Sequence, residues 1–103
     1  MKQQIGNYTL KYGTYKGVDY WDVDDPLSKY EITIVLKENG TYTQTKLITV
    51  AGVTESYSGK FTLSNIQGIG TYITFSANDE AYQITGNNQF TSSTGAVIKY
   101  QGN

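Results

Sequence analysis

The chain has 103 residues and a net charge of −1, with eight lysines, nine acids, no arginine, no histidine and no cysteine. That length is one domain, and lacking arginine at a pI near 5.2 it has no charge footprint for nucleic acid. Without His or Cys it can form no Ser-His, Cys-His or zinc-histidine constellation, no thiolate metal site and no disulfide.

Ten tyrosines and fourteen threonines stand against four alanines, a bias toward half-buried strands and away from helix. No stretch repeats apolar residues at helical spacing, and none is long enough to cross a bilayer as a helix. The expectation is all-β. In chain order, residues 7–12 alternate with Tyr8, Leu10 and Tyr12 on one face. Gly13 to Gly17 then reads as a bend or bulge, and residues 18–29, with four acids and the only proline, as a loop.

Residues 30–37 form the clearest strand, with Tyr30, Ile32, Ile34 and Leu36 on one face. Glu38-Asn39-Gly40 signals a hairpin. A three-residue loop with a glycine bulge sets Leu36 opposite Tyr42, which keeps both large side chains on one face. The return strand spans 41–50, a turn falls near 51–54, and 55–63 follows with Tyr57, Phe61 and Leu63 aligned. Further strands are expected at 71–76, 81–85 and 96–101, with turns at Gly68–Gly70, Asn78-Asp79-Glu80 and Gly86-Asn87-Asn88.

Seven or eight short strands with closely spaced turns predict a small antiparallel meander barrel over residues 1–103, with a β-sandwich as the alternative. Short turns favour sequential hairpins, and closure removes exposed edges.

The motifs Gly13-Thr14-Tyr15-Lys16-Gly17 and Ile32 to Tyr42, including Asn39-Gly40-Thr41-Tyr42, resemble the N-terminal domain of the NlpE-type copper-resistance lipoprotein family, a calycin-like small barrel. The resemblance implies a bacterial envelope location, with a lipid anchor carried by a segment outside these residues. The N-terminal MKQQIGNYTL has no apolar signal core of its own. The family's Cys-x-x-Cys is missing: Trp21 and Asp24 fall roughly where the cysteines stand. Soft copper ligation needs thiolate, thioether or imidazole ligands, so no Cu(I) site is expected, and no cofactor is expected under the leading reading.

The candidate binding residues are Tyr20, Trp21, Asp22, Asp24 and Asp25. Adjacent aromatics on a loop can anchor a partner at low entropic cost, although a Trp21 folded back to plug one barrel end is the favoured reading, large aromatics being mostly buried. The acids offer hard oxygen ligands for Ca²⁺ but fail the EF-hand pattern. A carboxylate pair among Asp19, Asp22, Asp24 and Asp25 is the one arrangement a glycoside hydrolase would need; neighbouring acids in a polar loop are more simply solvated. The expected function is non-catalytic: an envelope domain that binds a protein partner or a small apolar ligand. The alternative is a carbohydrate- or calcium-dependent binding module using the loop at 19–25.

Overall fold

The alternation of apolar and polar side chains resolves into eight antiparallel strands in the computed structural model, which describes residues 10–20, 24–68, 70–77 and 79–102. They are β1 (Gly13–Tyr20), β2 (Lys29–Leu36), β3 (Thr41–Ile48), β4 (Val53–Ile66), β5 (Gly70–Phe75), β6 (Glu80–Gly86), β7 (Gln89–Thr91) and β8 (Val97–Gly102). Each pairs with the next, and β1 pairs with β8, closing the barrel. Meander connectivity follows from turns too short for a crossover.

The 37–41 hairpin forms in the expected register. Leu36 faces Tyr42, the Lys37 amide donates to the Thr41 carbonyl and the Gly40 amide to the Lys37 carbonyl. Gly40 has φ 84°, a left-handed geometry that glycine adopts without a Cβ penalty. Asn39 fixes the turn further, its Oδ1 accepting from the Thr41 amide at 3.1 Å.

Several boundaries differ from the sequence expectation. Gly13–Gly17 is not a bend but the start of β1, which continues through Val18, Asp19 and Tyr20, residues expected in a loop. The other expected reading of this segment, a bulge, agrees with the register shift against β8 between Thr14 and Tyr15. A strand at 7–12 does not extend into the described part of that segment: Lys11 makes an isolated bridge and Tyr12 lies in a bend, while residues 7–9 fall outside the described residues. β3 stops at Ile48, where the amides of Ala51 and Gly52 turn back onto its carbonyl. The short β7 was not expected.

Inward positions follow period two along each strand. Tyr15, Ile32, Ile34, Leu36, Tyr42, Ile73, Phe75, Phe90 and Ile98 are almost wholly buried. Their rings form a continuous aromatic chain: Tyr42 to Phe75 at 4.6 Å, Phe75 to Phe90 at 6.2 Å and Phe90 to Tyr15 at 5.1 Å between centroids. Such tilted contacts add about 1 kcal/mol each beyond area burial. The buried Tyr15 hydroxyl donates to the Lys11 carbonyl at 2.7 Å and accepts from the Lys11 amide at 2.9 Å. That clip holds the segment carrying the buried Leu10 against the barrel.

Candidate functional site

One end of the barrel, its mouth, is where β1, β3, β5 and β7 finish and β2, β4, β6 and β8 begin. The aromatic stripe gives way there to polar side chains on the same inward parity. On β3 the sequence Tyr42, Gln44, Lys46, Ile48 continues the inward series; on β1 it is Tyr15, Gly17, Asp19.

Glu80, the first residue of β6, organises this polar layer. Its Oε2 accepts from Lys46 Nζ at 2.6 Å. Its Oε1 accepts from Gln44 Nε2 at 3.3 Å and from the Tyr82 hydroxyl at 3.2 Å. Gln44 is completely buried, so its amide needs such partners. Lys46 also sits over the rings of Tyr30 and Tyr57, at 5.8 and 5.9 Å from their centroids, where the aromatic faces attract its charge. Burial pushes the Tyr82 phenol well above its ordinary range, and the Glu80 charge and hydrogen bond push it the same way.

Across the mouth, Asp19 Oδ1 accepts from the Thr94 hydroxyl at 2.8 Å. Thr94 shares a bond of the same length with Ser92 Oγ, and Ser92 Oγ accepts from the Ala96 amide at 3.0 Å. The β7–β8 loop is thereby tied to the end of β1. Asp19, Asp79, Glu80, Tyr82, Ser92 and Thr94 line a cavity of about 440 Å³. A second, of about 280 Å³, lies alongside and shares Asp19 and Thr94, with Val18, Tyr20 and Val97 in its wall. Those three are among the exposed large hydrophobic side chains, Tyr20 at 42%.

The sequence-predicted residues separate. Tyr20 ends β1, exposed on the outer face beside the second cavity. Trp21 and Asp22 lie outside the described residues. Asp24 and Asp25 are exposed in the β1–β2 connection. Both carboxylate oxygens of Asp25 are engaged in its own turn, Oδ1 with the Leu27 amide at 3.0 Å and Oδ2 with Ser28 Oγ at 2.9 Å. Among the described residues, no group of three or more acids converges on a point where a metal ion would sit. Asp19 belongs to the barrel mouth, because period-two alternation turns it inward.

Glu80, Gln44, Lys46, Asp79 and the Ser92–Thr94 loop were not among the sequence candidates. The available signal was parity: a strand whose core-facing series reads Tyr, Gln, Lys, Ile places an amide and an ammonium where a plain core would be apolar. Each then needs a partner from another strand.

No family model, curated protein or solved structure matches the chain.

Proposed function

We propose that the chain is a non-catalytic binding domain of the bacterial cell envelope that recognises a protein partner at the barrel mouth. The supporting observation is the juxtaposition of two cavities at the Asp19–Thr94 hydrogen bond. One is lined by carboxylates and hydroxyls, the other by exposed Val18, Tyr20 and Val97. An aromatic and aliphatic cleft beside a polar, acceptor-rich pocket suits a segment presenting an apolar side chain next to a lysine or arginine. The absence of His and Cys from the sequence favours binding over chemistry. The envelope location rests on the NlpE-type resemblance of Gly13–Gly17 and Ile32–Tyr42. A protein partner is preferred to a small apolar ligand because the buried Tyr15, Phe90, Phe75 and Tyr42 side chains touch one another in series inside the barrel.

A photo-crosslinking amino acid at position 20 or 97, exposed to envelope extract, is expected to give one discrete heteromeric adduct. The same group at the exposed Thr62 gives none, and Asp19→Lys abolishes the adduct. Equal labelling at all three positions, or none at 20 and 97, refutes the reading. The carboxylates and hydroxyls of the larger cavity favour carbohydrate as the second reading. It predicts glycan-array hits that are lost with Thr94→Ala.

A further inference from the structure

Barrel closure leaves the first half of β4 paired along one edge only. β4 runs from Val53 to Ile66, and residues 53–60 pair with β3 while only 61–66 pair with β5. β5 ends at Phe75, so the first half of β4 extends past the β5–β6 turn with one edge uncovered. The direction of its backbone groups follows from the neighbouring bonds. Lys60 exchanges with Ser76 on the β5 side, its carbonyl accepting from the Ser76 amide at 3.0 Å and its amide donating to Ser76 Oγ at 2.9 Å. The Phe61 amide points the other way, to the Gly40 carbonyl. By alternation Thr54, Ser56 and Ser58 turn their amides and carbonyls to the open edge. Among the described residues no strand covers them.

This edge has few of the usual safeguards. The segment Val53-Thr54-Glu55-Ser56-Tyr57-Ser58-Gly59 contains no proline and no lysine, and its pairing with β3 is unbroken by a bulge. Its single charge, Glu55, selects among ways of pairing it with itself.

We propose that the chain self-associates through this edge, β4 against β4 of a second copy, about a two-fold axis at Ser56. In that antiparallel register Ser56 faces Ser56, and Thr54 and Ser58 face each other twice. All three are hydrogen-bonded pairs, so every open amide and carbonyl of the edge is used. Glu55 falls opposite the Tyr57 hydroxyl, the group that already donates to it within the chain at 3.3 Å. Val53, half exposed, falls opposite Gly59, which has no side chain to oppose it. An axis at Glu55 would set two carboxylates face to face, a destabilising pair. An axis at Thr54 would shorten the ladder.

The register is tested by single cysteines, which the cysteine-free chain allows without background. Hydrogen-bonded partners have Cα atoms about 5.5 Å apart, within disulfide range. Ser56→Cys is therefore expected to oxidise to a covalent dimer at least tenfold faster than Thr54→Cys or Ser58→Cys. Those two lie about 13 Å from their own copies, four residues out of register. Sedimentation velocity of the unmodified chain should show a monomer–dimer equilibrium. Ser56→Pro should abolish it while keeping the β-type circular dichroism, since the lost amide serves no bond inside the barrel. A monomer at concentrations up to about 1 mM, where even a weak association shows, overturns the proposal. So does equal cross-linking at all three positions, or a dimer that survives Ser56→Pro in folded protein. If Ser56→Pro unfolds, the cysteine series and sedimentation of the unmodified chain still decide.

Discussion

Gly17→Ala is the sharpest probe of how the barrel closes. Gly17 lies in β1, in register with Ile32 of β2, and has no left-handed φ to protect. A methyl group there would drive into the Val97 carbonyl oxygen and stand only 2.5 Å from Ile98 Cδ1 and 3.0 Å from Ile98 Cα. The obstruction is mostly backbone, and Ile98 is fully buried, so β8 must move while β1 is held by β2. Overpacking of this kind costs about 1–3 kcal/mol. Alanine stiffens the unfolded chain and returns about 0.4–1 kcal/mol. The net loss is about 1.3 kcal/mol at mid-range and about 2.6 kcal/mol at most, and the mid-range value lowers Tm by about 5–10 °C for a domain of this size. Gly59→Ala is the comparison. Its methyl would meet Ser76 Oγ at 2.7 Å and Ala77 Cβ at 3.3 Å. The serine can rotate away at the expense of one exposed hydrogen bond, about 1 kcal/mol. Thermal and urea denaturation of both variants should rank Gly17→Ala as the more damaging. A Tm within about 2 °C of the unmodified protein, or the reverse ranking, refutes the close crossing of β1 and β8.

Two further outcomes follow from the interior polar groups. Burial pushes the Tyr15 phenol up from 10.0 to about 12; the Lys11 backbone bond opposes the shift and Tyr100 adds to it. The Tyr82 phenol is raised too. The folded state therefore keeps these protons where the unfolded chain loses them. Their contribution is complete below the unfolded value near 10 and falls as pH rises toward the folded values. Each tyrosine adds a slope of about −1.4 kcal/mol per pH unit in that window. Urea midpoints that stay flat from about pH 9 to 11.5 contradict this. Lys46→Met removes the ammonium but keeps most of the stem. With side-chain exposures of 14% and 31% for Lys46 and Glu80, the pair lies between the surface and buried regimes. A double-mutant cycle with Glu80→Gln should return a coupling of about 1–2 kcal/mol; less than about 0.5 kcal/mol means that solvent screens the pair.

The fold was legible because its evidence is local. Tyr30 to Leu36 and Tyr42 to Ile48 each declare a face, and Asn39-Gly40 fixes how they meet, so a register across β2 and β3 could be stated residue by residue. β1 was misplaced for a related reason. Glycine at 13 and 17 signals conformational freedom, yet at Gly17 the residue serves close approach: it sits in a regular strand because β8 passes where a side chain would be. Local propensity cannot distinguish those two uses, since the second depends on a strand eighty residues away. β7, three residues long, offers too short an alternation to register at all.

The site was harder to read because acids adjacent in sequence are parted by the strand that ends between them. Asp19 and Tyr20 are neighbours on opposite faces of β1, one bonded to Thr94 in the mouth and the other exposed beside it. Asp25 is spent on its own turn. The residues that do meet, Gln44, Lys46, Glu80 and Tyr82, come from two hairpins more than thirty positions apart, and only closure brings them together. Their common feature in the sequence is polarity at a core-facing parity. An inward amide and an inward ammonium are costly to bury alone, so their presence on one strand requires an acceptor from another. Glu80 is that acceptor because β6 begins with it, immediately after a turn through Asp79 at φ 53°. The same closure that buries the aromatic chain thus determines where the barrel changes from apolar to polar.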